Sequence, residues 1–175
     1  MPRSPAVRAA AAAAVVLIAI IGWYLGSPLF IRTTANEALP TAAASASPPP
    51  SAASTAVTTA TPQPIQRVLA RGELQFVDSL HNGKGPVTVL QLGDQRFVRF
   101  ENVAITNAPD VHVYLSRETG GKWTESTSLY LGALKATNGS FNYDVPAGTD
   151  LAPYKSVVVW CRAFAVLVTW ADLKA

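Results

Sequence analysis

Charged residues and cysteine are both scarce in this sequence of 175 residues. Only 14% of the residues are charged, whereas about 25% is usual for a soluble protein, and this scarcity excludes a highly charged disordered chain. The single cysteine, Cys161, excludes an intramolecular disulfide framework and a metal site built from thiolates alone. The length allows one domain with extensions and excludes two full domains.

A basic surface is also lacking, although the whole chain carries a net charge of +3. From Ile65 onward there are 11 Lys and Arg residues against 10 Asp and Glu residues, so that part of the chain is close to neutral. Its Lys and Arg residues do not alternate with aromatic residues in the way that contact with a phosphate backbone requires. We therefore expect no binding of nucleic acid.

Charge is absent altogether between Arg8 and Arg32. As a helix, residues 9–31 would extend about 34 Å, which is enough to cross a hydrocarbon core of about 30 Å. Trp23 and Tyr24 lie toward the far end, where aromatic side chains favour the membrane interface. The alternative is a cleaved secretory signal, whose apolar stretch is only about 7–15 residues long. The sequence therefore favours an uncleaved transmembrane signal anchor over residues 9–31.

The charges that flank this apolar run predict its orientation. Arg3 and Arg8 precede it, so the positive-inside rule places residues 1–8 in the cytoplasm and the rest of the chain after residue 31 outside. Residues 32–64 consist mostly of Ala, Ser, Thr and Pro and carry too little bulky apolar surface to fold. We predict a single-pass protein of the cell membrane, with 32–64 as a disordered linker that lifts an extracytoplasmic domain off the bilayer.

Residues 65–175 contain short apolar runs of strand length, separated by turn sequences rich in Gly, Asn, Asp and Pro. This pattern predicts an all-β domain, an antiparallel sandwich or barrel-like fold of about seven or eight strands. Gly93-Asp94 between two such runs predicts a hairpin turn. The runs are residues 73–77, 87–92, 96–105, 111–116, 128–134, 140–145 and 156–168.

The last run is apolar on both faces and predicts one long central strand covered on each side. Strand alternation would put Ala163 and Ala165 beside Cys161 and leave room next to the sulfur. The same alternation puts Arg162 on the opposite face, where it cannot readily activate the thiol.

At this strand the sequence resembles the DM13 domain, a small extracytoplasmic module of bacterial and animal surface proteins. The string VVVWC at 157–161 carries the resemblance, and further motifs follow the family's order over residues 67–173. Two positions depart from the family pattern: Ala108, where Gly is frequent, and Val168, where an aromatic residue is common. The further motifs are GEL at 72–74, Asp78 with Leu80-His81, RFEN at 99–102, APDVHVYLS at 108–116, LGALK at 131–135, GSFNY at 139–143 and VP at 145–146.

The resemblance implies an all-β fold and a role in electron transfer or redox chemistry at Cys161. In the family proposal the sulfur acts as a bare thiol or ligates a prosthetic group such as haem. The sequence lacks a CxxCH motif, so covalent attachment of haem is excluded. A redox partner or another cell-surface protein would then be the partner. The alternative is a non-catalytic surface-binding or scaffolding module, because free cysteines usually serve as small buried hydrophobes.

The two histidines are candidates for a metal site. Asp110, His112 and Tyr114 share one face of a predicted strand, and His81 lies in a turn three residues after Asp78. A metal would require both imidazoles to converge with a carboxylate. We expect turn and surface roles for these residues instead, and Asp110 most simply closes an Asx-type turn before the strand.

Overall fold

The computed structural model describes residues 4–27, 31–40 and 66–175. The N-terminal helix α1 (Pro5–Gly26) has Pro5 in its first turn, where a missing N–H costs nothing. Its 22 residues extend about 33 Å. The predicted span 9–31 is therefore helical as far as Gly26, and residues 28–30 lie outside the described part. Within the described residues, α1 is the one helix long and apolar enough to cross a membrane.

Among residues 31–40 and 66–175, the structure has ten strands and a short 3-10 helix, Glu125–Thr127. The strands are β1 (Thr34–Asn36), β2 (Gln66–Glu73), β3 (Gly83–Lys84), β4 (Pro86–Leu92), β5 (Gln95–Ile105), β6 (Val111–Ser116), β7 (Leu129–Ala133), β8 (Asn138–Val145), β9 (Ser156–Cys161) and β10 (Val166–Asp172).

The strands form two sheets. One has the order β1-β8-β5-β4-β2, with β3 also pairing with β5, and the other has the order β10-β9-β6-β7. All pairs are antiparallel except β1 with β8. Both sheets contribute to one core, so the all-β prediction is confirmed as a sandwich, and within the described residues the sheets do not close into a barrel.

Alternating apolar residues fill the space between the sheets. Phe100 on β5 stacks on Phe141 on β8 with ring centroids 5.1 Å apart, and both side chains are fully buried. Burying a side chain of this size contributes about 1.5–3 kcal/mol. The hairpin between β4 and β5 turns at Gly93-Asp94 as predicted, with Gly93 in the left-handed region at φ 59°.

The predicted strand at 73–77 is wrong, because the strand here is β2, which ends at Glu73. Of the apolar residues in that run, Leu74 is buried whereas Phe76 is 66% exposed. The strand escaped prediction because β2 lies at the edge of its sheet, so its sequence QRVLARGE is largely polar.

The single long strand predicted over 156–168 is also wrong. The run forms a hairpin, in which β9 ends at Cys161 and β10 begins at Val166, its partner across the ladder. The turn at 162–165 has neither Gly nor Pro, and Ala165 takes up the left-handed conformation at φ 51° instead. The strand number therefore exceeds the seven or eight expected, since this run divides and the short β1 and β3 add to it.

The predicted disordered linker 32–64 begins with ordered structure. Residues 31–40, here called the docked segment, include β1, which pairs in parallel with β8 at the edge of the larger sheet. The Thr33 hydroxyl accepts a hydrogen bond from the Thr137 N–H, and the Thr33 N–H donates to the Thr137 hydroxyl. Composition alone missed this strand because its partner lies about a hundred residues away. Residues 41–64 lie outside the described residues.

Candidate functional site

Cys161 lies at the end of β9, on the face of the four-stranded sheet that packs into the core. Its side chain is fully buried, and its thiol donates a hydrogen bond to the Pro109 carbonyl oxygen at 2.8 Å. Val111 on β6 and Val166 on β10 are its partners across the two neighbouring ladders. The sulfur is thus enclosed by aliphatic strands and by the loop that precedes β6.

The neighbours that the sequence predicted for this thiol are wrong. Ala163 and Ala165 are exposed in the β9–β10 turn, so they leave no space beside the sulfur. The prediction for Arg162 agrees with the structure, since its Nε donates to the Tyr114 hydroxyl on the other side of the sheet at 2.7 Å. No guanidinium therefore activates the thiol from that position.

A haem group does not fit the residues around Cys161. Ligation needs a thiolate that faces a cavity wide enough for the macrocycle. Here the side chain has no exposed surface, and its sulfur already faces the Pro109 carbonyl oxygen. The arrangement offers a bare thiol in a core, and haem ligation at this position is incompatible with it.

The opposite face of the same sheet carries hydrogen-bonded polar side chains. We call this the outer face and define it by His112 and Tyr114 on β6, Tyr130 on β7 and Trp160 on β9. His112 Nε2 lies 2.5 Å from a carboxylate oxygen of Asp110, and His112 Nδ1 lies 3.0 Å from the Tyr130 hydroxyl. Because a carboxylate only accepts hydrogen bonds, Nε2 carries a proton, and in the singly protonated ring Nδ1 is the nitrogen that accepts from the Tyr130 hydroxyl.

Four aromatic rings lie in contact around these polar groups. The ring centroids of Tyr114 and Tyr130 are 5.4 Å apart, those of Tyr114 and Trp123 are 4.5 Å apart, and those of Trp123 and Trp160 are 5.0 Å apart. These separations are typical of favourable aromatic pairs. The rings thus form a continuous group across β6, β7 and β9.

The loop after β6 closes over part of this face and positions Trp123. The Ser116 hydroxyl donates to the Lys122 carbonyl oxygen at 3.1 Å, and the Ser156 hydroxyl donates to the Glu118 carbonyl oxygen at 2.7 Å. Both serines are fully buried. These two bonds hold the loop against the ends of β6 and β9.

Arg162 covers the tyrosines of the outer face. Its guanidinium lies 4.9 Å from the centre of the Tyr130 ring and 3.5 Å from a carboxylate oxygen of Glu125. Burial raises the pKa of Tyr114, and the hydrogen bond and positive charge of Arg162 lower it by a smaller amount. The cation thus opposes part of the rise in the pKa of Tyr114 and interacts favourably with the electron-rich face of the Tyr130 ring.

The remaining histidine is engaged within its own turn. Asp78 accepts hydrogen bonds from the backbone N–H groups of Leu80 and His81, and its carboxylate pairs with His81 Nδ1 at 2.9 Å. These contacts lower the pKa of Asp78, the bond from the His81 side chain most of all. Among residues 4–27, 31–40 and 66–175, no three His, Cys, Asp or Glu side chains lie together as a metal site would require. Both histidines thus pair with a nearby carboxylate.

The sequence pattern found half of the outer-face cluster. Period-two alternation correctly put His112 and Tyr114 on one face, next to Asp110. It did not identify Tyr130, because Tyr130 meets His112 across a ladder whose register shifts between Val113 and Tyr114. An irregularity of this kind is invisible in composition and alternation.

Polar contacts hold the docked segment on the sheet edge. The Glu37 carboxylate pairs with Lys135 Nζ at 2.8 Å and accepts from the Asn142 N–H at 2.9 Å, while Arg99 donates to the Glu37 carbonyl oxygen. Partial burial raises the pKa of Glu37, but the bonds from Lys135 and Asn142 lower it by more in total. The ionised Glu37 carboxylate therefore stabilises the docked segment at a pH above the ordinary carboxylate pKa. This stabilisation is lost as the pH falls through the lowered pKa of Glu37.

These features define a class: a two-sheet β-sandwich domain with one buried thiol, joined to an apolar N-terminal helix. A family model described as "Electron transfer DM13" matches residues 75–173. The match covers more than half of the chain, so the chain belongs to the DM13 family and the resemblance at the VVVWC string is confirmed. Neither the curated proteins nor the solved structures contain a match to this chain.

Proposed function

We propose that this chain is an electron-transfer domain anchored at the outer side of the cell membrane, with Cys161 as its redox-active thiol. The electron-transfer role is supported by the family to which residues 75–173 belong. The observation that carries the assignment to Cys161 is its position beneath two loops. These are the loop before β6, which contains Asp110, and the β9–β10 turn, which contains Ala165, and each of these two residues has a strained positive φ. A redox partner would meet the domain at these loops.

The anchor is supported by the surface of α1. Its apolar side chains are exposed from Pro5 to Tyr24, so a hydrocarbon environment is what would bury them. Arg8 lies in the first turns, and Trp23 and Tyr24 lie near the other end, as interface residues do. This arrangement supports a cytoplasmic N-terminus and an external β-domain, with a cleaved signal peptide as the alternative outcome.

The docked segment would keep the domain close to the bilayer. Ser27 and Ile31 are four residues apart, so they can be separated by at most about 14 Å. Residues 41–65 then connect β1 to β2 along the chain, and they do not separate the helix from the sandwich. This differs from the spacer role that the Ala/Ser/Thr/Pro composition suggested.

Access to Cys161 requires the loops above it to open. Asp110 and Ala165 both have positive φ, 57° and 51° respectively. The left-handed conformation costs a non-glycine residue about 1–2 kcal/mol, although Asp tolerates it better than Ala. The Arg162 N–H, which donates to the Asp110 carbonyl oxygen at 3.0 Å, ties the two loops together. Their strain favours local opening that exposes the sulfur without global unfolding.

A thiol-labelling experiment on the full-length protein in detergent micelles tests this proposal. We expect an aromatic disulfide reagent to label Cys161 slowly, yet faster than global unfolding allows. Ala165→Gly relieves the strained turn and should slow labelling about threefold to tenfold, a factor that corresponds to roughly 0.7–1.4 kcal/mol. The matched control is Ala163→Gly, which changes the same turn at a neighbouring exposed alanine without positive φ.

The second candidate is a non-catalytic surface-binding or scaffolding module, and the full burial of Cys161 favours it. If labelling occurs only at the rate of global unfolding, the cysteine is structural and the thiol function fails. If Cys161 is redox-active, its sulfur should be oxidised once the loops open, either by a peroxide to a sulfenic acid with loss of water, or by the disulfide of a partner to a mixed disulfide with release of the partner's other thiol.

A further inference from the structure

We propose that Tyr130 is a redox-active tyrosine, which exchanges one electron with an external carrier while its phenolic proton moves to His112. The inference deepens the proposed electron-transfer function and rests on it, but it does not depend on Cys161. It concerns the outer face of the four-stranded sheet and rests on the chain of contacts Tyr130–His112–Asp110.

The first observation is that the contact with Asp110 selects the His112 tautomer that can accept a proton from Tyr130. Asp110 accepts from His112 Nε2 at 2.5 Å, so in the singly protonated imidazole Nδ1 is the acceptor, 3.0 Å from the Tyr130 hydroxyl. Tyr130 therefore donates its proton toward a base that is already oriented. That distance is within the range over which a positioned base takes a proton directly.

Oxidation of Tyr130 requires one external oxidant that accepts a single electron. Tyr130 gives one electron to an external one-electron oxidant, the phenolic O–H bond breaks, and a new N–H bond forms at His112 Nδ1. The products are a neutral tyrosyl radical, an imidazolium paired with the Asp110 carboxylate, and the reduced acceptor. Return of an electron from a donor brings the proton back from His112 to the phenolate oxygen and restores the starting state.

Burial differs along the contact chain in the way that this reaction needs. The Tyr130 side chain is 45% exposed, so a carrier can approach its ring, while His112 is only 8% exposed. The transferred proton is therefore held on an imidazole to which water has little access, while the Asp110 carboxylate that pairs with this imidazole is half exposed. The electron and the proton leave the phenol by different routes.

Arg162 adds a reason for the two transfers to be coupled. Its guanidinium lies 4.9 Å from the Tyr130 ring centre and would repel a ring that had lost an electron and kept its proton. Other charged or titratable groups near this ring include Asp110, His112, Tyr114, Glu125 and Tyr143. Loss of the proton to His112 removes the positive charge from the ring, so proton transfer with the electron is favoured.

The neighbouring rings supply a route for the electron across the sheet. From Tyr130 the contacts pass through Tyr114 and Trp123 to Trp160, with centroid separations of 4.5 to 5.4 Å. Trp160 directly precedes Cys161 in β9. The aromatic group therefore connects the exposed phenol with the strand that carries the buried thiol.

The test is one-electron oxidation of the full-length protein in detergent micelles by flash-generated tris(bipyridyl)ruthenium(III), followed by freeze-quench electron paramagnetic resonance. We expect a neutral tyrosyl signal that Tyr130→Phe reduces at least tenfold. His112→Gln, which keeps a polar group but removes the base, should slow formation of the signal at least tenfold. The matched control is Tyr154→Phe, since Tyr154 lies outside the outer-face cluster and should leave the signal unchanged.

A solvent isotope effect distinguishes proton transfer to His112 from a purely structural role of these contacts. In heavy water the rate of radical formation should fall about twofold or more in the wild type, because the transferred proton is part of the step, and this isotope effect should disappear in His112→Gln. Far-ultraviolet circular dichroism checks that each variant is folded. A signal that persists in Tyr130→Phe, or a rate in His112→Gln equal to that of the wild type, overturns the inference.

This result is separable from the proposed thiol function. Radical formation is read at Tyr130 and thiol access is read by labelling, both on the same wild-type protein. A tyrosyl radical with an inaccessible thiol supports Tyr130 and rejects Cys161 as the redox group. A labelled thiol without a Tyr130 radical rejects this inference and leaves the thiol proposal standing.

Discussion

The four-stranded sheet presents two unlike faces along the same two strands, β6 and β9. The face toward the core is aliphatic and fully buried, and its single sulfur atom donates to a backbone carbonyl. The outer face carries a carboxylate, an imidazole, tyrosines and tryptophans in contact with one another. The single cysteine thus lies on the buried aliphatic face, whereas the hydrogen-bonded polar groups lie on the other face.

Strand alternation explains how the two faces coexist. Successive side chains of β6 and β9 point to opposite sides, so each strand supplies both environments. His112 pairs with Trp160 across this ladder, directly beside the pair of Val111 and Cys161. The neighbouring pairs are therefore close in the chain but face opposite sides of the sheet.

The largest expected difference between the faces is in stability. Leu115 is fully buried on the core side, and Leu115→Ala should lower the free energy of unfolding by about 2–5 kcal/mol, since it removes buried methyl groups and leaves a cavity. The measurement is urea unfolding of the full-length protein in micelles, followed by tryptophan fluorescence.

The matched change on the outer face is Tyr114→Phe at the adjacent position. It keeps the ring and removes only the hydroxyl that accepts from Arg162, so we expect a cost of about 1 kcal/mol. Equal losses for the two variants would show that the outer face contributes to stability as a second core, and the distinction between the faces would not hold.

At the thiol we expect an effect smaller than that of Leu115→Ala. Cys161→Ala removes the donor to the Pro109 carbonyl oxygen together with some packing, and should cost about 1–3 kcal/mol. Cys161→Ser keeps a donor at the same place and should cost no more than the alanine variant. The same urea series decides this order, and a serine variant clearly less stable than the alanine variant would show that the site recognises sulfur only as a hydrophobic atom.

How far the sequence predicts this molecule depends on whether a feature is local. Alternation within 111–116 predicted a strand with His112 and Tyr114 on one face, and the Gly93-Asp94 turn was also evident. The hairpin at 162–165 was missed because Arg, Ala and Phe carry no turn signal. Tyr130 reaches His112, and β1 reaches β8, only through pairing between distant parts of the chain, which no local pattern encodes.

The smallest expected effect concerns the charge on the outer face. Arg162→Gln removes an exposed cation and should change stability very little, because exposed ion pairs are screened by solvent. It should also raise the pKa of Tyr114 further, because burial already raises that pKa and Arg162 opposes the rise. Absorbance at the phenolate band during alkaline titration measures this, with Tyr114→Phe identifying the signal.

The direction of the pH dependence follows from the raised pKa of Tyr114. Because its folded pKa lies above the unfolded value of about 10, the contribution of the neutral phenol to stability is present below that pH and is lost as the pH rises toward the folded pKa. In Arg162→Gln the gap widens, so alkaline pH should destabilise the variant more than the wild type. A Tyr114 titration unchanged by Arg162→Gln would mean that the guanidinium does not act on the outer-face phenols, and its proposed influence on Tyr130 would fall with it.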